Sequence, residues 1–224
     1  TLCQVPANGD YTTFLNLDGL QGARIGIPRA LYYDSIQVPG TNRWQSRMNE
    51  ESRAVMADAI AILETQGAIV VDPADIPSVI DTDPATSLVT NGGSSVLNYG
   101  MKRDFNAWLA TLGETAPVKT LTELREWNLA HRSMGAIKYE QARLDGADAI
   151  DLEADRAQYE ADLMQDNVLN ATRGIDAAMT EHELDALLFP SSSGAGIAAK
   201  PGYPTVLVPF AFVANDGGPD MPAG

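Results

Sequence analysis

Apolar and polar residues repeat along this chain with two different spacings, and the spacings predict the order of its elements. Short apolar runs bounded by turn residues, at 23–28 and 68–71, are typical of buried strands. Between them, apolar residues recur every three or four positions over 47–66, and Gly67 stands where a helix is expected to end. This strand–helix–strand order predicts a βαβ unit with parallel strands.

The remainder of the chain turns to helices and then returns to strands. Stretches of good helix formers without internal proline predict three helices, at 98–112, 121–141 and 151–181. Apolar runs at 187–189 and 205–208, each followed by proline, predict two further strands. Strands and helices in this order favour an α/β layered fold with no evident linker.

Composition and charge narrow the classes of function. The 224 residues include 30 acidic and 15 basic side chains, for a formal net charge of -15. Such an acidic surface repels phosphate backbones and anionic lipids, so we expect neither a nucleic-acid nor a membrane partner. Cys3 is the only cysteine, which excludes an internal disulfide. Without a long apolar run or the features of a signal peptide at 1–10, a cytoplasmic location is expected.

A glycine- and serine-rich turn at 92–95 is the first candidate for chemistry. Glycines let the backbone approach a substrate, and their amides can stabilise an oxyanion beside a serine nucleophile. The residues that follow, Val96 to Tyr99, read as the start of a helix instead. A helix N-terminus capped by serine therefore explains this turn better than a nucleophile does.

A second serine-rich turn, at 191–194, follows a predicted strand. Ligands of α/β proteins bind beyond the carboxyl ends of strands, so its hydroxyl and amide groups are predicted to line a pocket. No lysine has a spacing that sets it beside one of these serines as a base. His131 and His182 fit no metal-binding spacing, and no glycine pattern matches a nucleotide-binding loop. We therefore assign no catalytic residue, no metal and no cofactor.

Segments in a fixed order along the chain resemble the amidase signature family. They lie at 20–29, 68–72, 101–110, 117–121, 174–178, 184–187 and 202–209. The third, Met-Lys-Arg-Asp-Phe-Asn-Ala-Trp-Leu-Ala, is similar to the family helix Glu-Phe-Lys-x-Asp-Leu-Asn-x-Tyr-Leu. One departure is that this chain has Tyr99-Gly-Met-Lys102 where the family often has Tyr-Glu-Phe-Lys. No single segment is specific, and the resemblance rests on their combination over nearly the whole chain.

This resemblance implies a mixed central sheet covered by helices on both faces, and amide hydrolysis through an acyl-serine intermediate without a cofactor. The two serines and the lysine that catalyse the reaction in the family do not map onto this sequence. Residues 1–224 are thus expected to form a single partial amidase-type domain, truncated at both ends and inactive alone. The implied partners are the missing N-terminal catalytic segment of the same protein and a small-molecule amide substrate. By position, the residues expected to face the substrate pocket are Ser191, Ser192, Ser193, Gly194 and Tyr99.

Two alternatives remain open from the sequence. A non-catalytic relative would keep the pocket wall as a small-molecule-binding or scaffold protein without the catalytic triad. An unrelated α/β small-molecule-binding domain would explain the βαβ start, although the ordered segments after residue 95 argue against it.

Overall fold

The computed structural model describes residues 6–212, which divide into two compact units. Unit 1 contains the described residues up to Thr90 and those from Val168 onward, and unit 2 is Asn91–Asn167. Each unit is described by itself below. The single partial domain expected from the sequence stays a prediction.

A three-stranded parallel sheet organises unit 1. Its strands are β1 (Arg24–Gly26), β4 (Ile69–Val71) and β5 (Ala186–Leu187), and β1 lies in the middle, paired with the other two. Helix α1 (Glu51–Thr65) connects β1 to β4 along the chain, with a hairpin before it. The predicted parallel βαβ unit and the α/β fold class are therefore confirmed.

The central strand packs so closely that it has no room for a side chain at Gly26. A Cβ atom built there would collide with Leu184 and lie 3.0 Å from both the Ala74 Cβ and the Leu187 Cδ2. Gly26 pairs in register with Val71 on one side and with Leu187 on the other. This glycine is thus needed for close packing at the point where the three strands meet.

Polar groups connect β1 to the turn before β5. The backbone amide of Arg24 donates to Asp185 Oδ2 at 2.8 Å, and its guanidinium donates to the carbonyl oxygens of His182 and Glu183. Segments about 160 positions apart in the sequence are therefore held side by side.

The apolar core of unit 1 is built from fully or nearly fully buried side chains: Ile27, Leu31, Tyr32, Tyr33, Ile76, Val79, Ala178 and Ile197.

Shorter elements complete unit 1. Strands β2 (Ile36–Gln37) and β3 (Trp44–Gln45) form an antiparallel hairpin. Two one-turn helices, α2 (Pro77–Ile80) and α3 (Leu88–Asn91), follow β4 along the chain. Proline at the first position of α2 suits a helix start, because a backbone N–H at that position would have no acceptor within the helix.

The helix predicted over 151–181 starts late and is divided into three segments. It starts only at Arg156, as α7 (Arg156–Asn167), and continues as a π-helical segment (Val168–Ile175) before α8 (Asp176–Glu181). Gly174 departs from helical geometry, with φ -101° and ψ -114°, and a Cβ there would lie 2.6 Å from the Leu169 carbonyl oxygen. Helix propensity could not reveal this kink, because it depends on the backbone conformation of Gly174 and its close approach to the Leu169 carbonyl group.

Unit 2 is helical in its described residues. Besides α7 it contains α4 (Val96–Thr111), α5 (Leu121–Ala130) and α6 (Ala142–Asp148). The helix predicted over 121–141 was too long, because a 3₁₀ turn follows Ala130 and Gly135 then adopts a left-handed φ of 82°. Helix α6, which follows the predicted segment, was not predicted from the sequence.

The serine-rich turn at 92–95 does begin a helix, but not through the expected cap. Ser95 occupies the N-cap position of α4, and its side chain makes no capping hydrogen bond. Its Oγ donates instead to Asp162 Oδ2 at 2.6 Å, while Ser94 Oγ accepts from the Val96 amide at 3.1 Å. The hydrogen bond from Ser95 to Asp162 therefore connects the start of α4 to α7.

The strand predicted at 205–208 is wrong for the described part of the chain. These residues form no ladder, and Val206, Leu207 and Val208 are 86%, 71% and 76% exposed. Helix α9 (Ala195–Ala199) precedes them. An apolar run becomes a strand only where a neighbouring strand forms hydrogen bonds with its backbone N–H and C=O groups. No such neighbour lies beside residues 205–208 among residues 6–212.

An ion-pair cluster joins three helices of unit 2. Arg125 of α5 contacts Asp145 at 2.6 Å and Asp148 at 2.5 Å, and Lys102 of α4 lies 3.7 Å from Asp148. Thr122 donates a further hydrogen bond to Asp148 at 2.7 Å. Burial raises the pKa of Asp148, but the hydrogen bonds from Thr122 and Arg125 outweigh it, so this pKa lies below its usual value.

Replacing Gly26 is expected to destabilise unit 1. A Gly26→Ala variant should lose about 1–3 kcal/mol of unfolding free energy, because the new methyl group overlaps three side chains. Urea unfolding followed by circular dichroism measures this loss. The matched control is Gly196→Ala in α9, where a Cβ meets no atom within 4 Å and stability should stay equal or rise slightly. Equal losses in both variants would contradict the packing argument.

Asp148 should contribute to the acid sensitivity of unit 2. Because its pKa is lower in the folded state, its stabilising effect is complete above the unfolded pKa of about 3.9 and is lost as the pH falls through the folded pKa. Asp148→Asn should therefore be less stable at neutral pH but lose less further stability below about pH 4. Urea unfolding at a series of pH values tests this, with Asp58→Asn as the control that removes the same charge from an exposed position in α1.

Candidate functional site

A cavity in unit 1 runs along β5, from Asp185 just before the strand to the serine-rich turn after it. Its volume is about 580 Å³, within the range of small-molecule sites. Most of its wall is apolar, contributed by Ile175, Met179, Leu187, Leu188, Phe189, Ala195, Ala198, Val206 and Leu207. Its polar groups come from Asp176, Asp185, Ser191, Ser192, Tyr203 and Thr205. An apolar cavity with a few convergent polar groups is the usual form of a small-molecule site.

The serine-rich turn is shaped by the chain that leaves β5. The Ser193 amide donates to the Pro190 carbonyl oxygen at 3.1 Å, and the Ala195 amide donates to the Ser192 carbonyl oxygen at 3.0 Å. Ser191 adopts a left-handed φ of 49°, which turns the chain sharply after Pro190. The turn therefore runs directly from the strand into α9 and presents its side chains at the end of β5.

Gly194 is required by an aromatic ring. A Cβ at this position would overlap the Phe189 ring, whose Cδ1 lies 2.9 Å away. Phe189 in turn packs edge-to-face against Tyr32, with 4.7 Å between the ring centroids. Any side chain at Gly194 would thus displace a ring that contacts the core and forms part of the cavity wall.

The structure brings together three of the five predicted site residues. Ser191, Ser192 and Gly194 line the cavity. Ser193 belongs to the same turn, but its Oγ is buried and makes no hydrogen bond with the described residues. The pocket-facing role of these residues toward a substrate stays a prediction.

Tyr99 lies in unit 2, where it has packing partners of its own. Its side chain is 3% exposed, its ring stacks on Tyr159 with centroids 4.2 Å apart, and its hydroxyl donates to the Leu152 carbonyl oxygen at 2.6 Å. The guanidinium of Arg103 lies over both rings. These contacts explain a tyrosine at this position within unit 2, and a contact between Tyr99 and substrate stays a prediction.

Sequence reasoning missed the pair of Asp176 and Tyr203. The Tyr203 hydroxyl donates to Asp176 Oδ1, and both residues line the cavity. This hydrogen bond, together with burial and the negative charge of Asp176, raises the pKa of Tyr203 to about 12. The two residues are 27 positions apart, in a helix and in a loop, so no spacing pattern in the sequence connects them.

The described residues that line the cavity include no lysine, arginine or histidine. Within residues 6–212, no group of three His, Cys, Asp or Glu side chains is arranged to hold a metal ion. The same part of the chain has no helix with the length and apolar character needed to span a membrane. A second cavity of about 660 Å³ lies between the β2–β3 hairpin and the end of α2, and it contains none of the predicted site residues.

The parallel sheet flanked by helices matches the fold of solved amidase structures. Similar solved structures include a peptide amidase in complex with the competitive inhibitor chymostatin, which matches with a TM-score of 0.65 and 26% identity. That match covers 90% of this chain and 39% of the other. The native peptide amidase from Stenotrophomonas maltophilia gives a TM-score of 0.62 and 26% identity, over 90% of this chain and 39% of that one.

A more distant likeness supports the fold alone. An amidase family protein from Bacillus anthracis matches 86% of this chain with a TM-score of 0.59 and 21% identity, over 32% of its own length. The chain thus spans about a third to two fifths of the length of these amidases. No protein-family model and no curated protein matches the sequence.

The Asp176 contact should be visible in the titration of Tyr203. With ¹³C-labelled tyrosine, the Tyr203 ring should titrate with a midpoint near pH 12, because ionisation would break its hydrogen bond and place two negative charges together. In Asp176→Asn the titration should move toward the ordinary tyrosine value of about 10. Tyr203→Phe assigns the signal, and an unchanged midpoint in Asp176→Asn would contradict the assignment of cause.

Proposed function

We propose that this chain is a portion of an amidase-type hydrolase that cleaves a carboxamide C–N bond through an acyl-serine intermediate. Within that enzyme the chain supplies scaffold and one wall of the substrate pocket. The observation that carries the proposal is the likeness to the inhibitor-bound peptide amidase, with 26% identity and a TM-score of 0.65 over 90% of this chain. Identity at this level, spread over nearly the whole chain, supports a shared reaction class as well as a shared fold.

The cavity beside β5 supports the role of pocket wall. Its size suits a small amide, and its apolar surface can exclude water from a bound substrate. Ser191 and Ser192 offer hydroxyl groups that can donate to or accept from a carboxamide. These groups would bind and orient the amide while the bond is broken elsewhere.

The polar groups that the structure describes around the cavity include no free base for a serine of this wall, which supports a nucleophile located elsewhere. A serine hydroxyl attacks an amide only when a base takes its proton. The described lining has no lysine or histidine, Asp176 accepts from Tyr203, and Asp185 accepts from the Arg24 amide. We therefore place the nucleophilic serine and its base in another segment of the same protein.

Open edges and exposed apolar residues support such a companion segment. Because β1 occupies the middle of the sheet, β4 and β5 each keep one edge without a partner strand in the described residues. Outside the cavity lining, Val208 and Phe212 expose most of their side chains. Unpaired edges and contiguous apolar surface are typical of places where another polypeptide segment packs.

In the proposed reaction, the serine oxygen of the companion segment attacks the amide carbon, and the C–N bond breaks as the nitrogen takes a proton and leaves as ammonia. Water then attacks the acyl-serine, releasing the carboxylate and restoring the serine. The residues of this chain hold the acyl part of the substrate during both steps. Their contribution is positioning, which limits the approach of the reacting atoms to productive geometries.

Ammonia release from a panel of small carboxamides tests the proposal. The 224-residue chain alone should release none, and the chain together with the segment that carries the serines and lysine should do so, because only then are nucleophile and base present. A fluorophosphonate probe followed by peptide mass spectrometry should label the companion segment. Turnover by the chain alone, with label on Ser191 or Ser192, would contradict the proposed division of roles.

A pocket-wall variant provides the kinetic control. Ser192→Ala should raise KM by about two- to tenfold, the effect of one hydrogen bond, and leave kcat nearly unchanged, because the hydroxyl binds substrate and transition state alike. A large fall in kcat would instead show that Ser192 takes part in the chemistry. Binding of amides without turnover in the combined protein would favour a non-catalytic binding relative.

A further inference from the structure

We propose that Asp176, held by Tyr203, makes the cavity of unit 1 selective for substrates that carry a positively charged amine beside an apolar group. This inference rests on the proposed function, since it names the substrate class of the same pocket. It assigns to two residues, neither of them suggested by the sequence, the role of choosing among amides. Asp176 is in this proposal a substrate-binding residue, and Tyr203 is a positioning residue that acts through it.

The cavity itself is the first reason. It is bounded by β5, α8, α9 and the segment from Tyr203 to Leu207, and its volume of about 580 Å³ can hold a compact organic molecule. Met179, Phe189 and Leu207 contribute apolar surface to it. An apolar group of a ligand is therefore favoured along this wall by the removal of its surface from water.

The distribution of charge is the second reason. Two carboxylates, Asp176 and Asp185, reach the cavity, and no basic side chain is among the described residues that line it. The guanidinium of Arg24 is held by the carbonyl oxygens of His182 and Glu183. The formal charge of -15 over the whole chain adds to the negative potential. Such a cavity attracts a cation and repels a carboxylate.

Asp176 is better placed than Asp185 to provide the selectivity. Asp185 sits next to β5, and its Oδ2 accepts the Arg24 backbone amide, which fixes it as part of the sheet. Asp176 occupies the first turn of α8 and is exposed at the cavity, where its Oδ1 accepts from Tyr203. A ligand ammonium can therefore reach this carboxylate without breaking a backbone contact.

Tyr203 limits the freedom of the Asp176 carboxylate without changing its charge. Because the pKa of Tyr203 is raised to about 12, the phenol keeps its proton at neutral pH and continues to donate to Asp176. A carboxylate held in one orientation loses less side-chain entropy when a cation binds. The pair thus provides a single, oriented negative group on an apolar wall.

Three probes of similar shape separate charge from shape. We would titrate the full chain with 2-phenylethylammonium, 3-phenylpropanamide and 3-phenylpropanoate, which are positive, neutral and negative at neutral pH. Isothermal calorimetry at physiological ionic strength should rank the cation about fivefold tighter than the amide, the size expected for one exposed charge pair, and the anion weakest. The ¹³C signal of the Asp176 carboxylate should shift during the titration with the cation.

Matched variants test whether Asp176 causes the ranking. Asp176→Asn keeps an acceptor for Tyr203 but removes the charge, so the cation and the amide should bind about equally well. The control Asp58→Asn removes the same charge from an exposed position in α1 and should keep the wild-type ranking. Tyr203→Phe should keep the preference for the cation and weaken it about twofold, because the carboxylate stays charged but loses its fixed orientation.

Each outcome decides the proposal. Equal binding of the cation and the amide to the wild type, no binding of any probe, or an equal loss of preference in Asp58→Asn would overturn it. If Asp176→Asn fails to fold, the wild-type carboxylate signal decides, and no shift with the cation overturns the proposal. These probes report equilibrium binding, whereas ammonia release reports turnover. A preference for the cation without any turnover would therefore refute the proposed amidase activity and leave the proposed role of Asp176 in binding unaffected.

Discussion

The rest of unit 1 depends on the parallel pairing of β1 with two strands that are distant in sequence. At Gly26 the strand approaches Leu184, Ala74 and Leu187 so closely that a single methyl group would not fit. On either side, β4 and β5 are brought into register by backbone hydrogen bonds, and the Arg24 side chain fixes the turn that leads into β5. The placement of β5, and of the serine-rich turn that follows it, depends on this pairing with β1.

The cavity is a consequence of that sheet. Because β5 ends beside the core, Phe189 can pack on Tyr32, and the chain must then turn through Ser191 to Gly194 to enter α9. The same geometry sets α8 opposite the loop that carries Tyr203, so that its hydroxyl reaches Asp176. Hydroxyl groups, a carboxylate that accepts a hydrogen bond and apolar side chains therefore line one cavity beside β5, although they come from separate stretches of sequence.

The proposed function assigns binding and bond breaking to different segments. The described lining of the cavity has serine hydroxyls but no lysine or histidine that could take a proton from them. The likeness to peptide amidases extends over about two fifths of their length. In unit 2, Tyr99 and the Arg125 cluster serve the packing and electrostatics of helices. Their polar groups form hydrogen bonds and ion pairs with neighbours within that unit.

The sequence by itself determined the α/β class, the parallel βαβ start and the serine turn after β5, because period, proline and glycine positions are local signals. It did not determine where helices break, since Gly135 and Gly174 act through turns and packing that no periodicity records. It also predicted a strand at 205–208, whose formation requires a neighbouring strand. Only the tertiary structure decided that Asp176 and Tyr203 share a hydrogen bond at the cavity, because contacts between distant residues depend on how the whole sheet is packed.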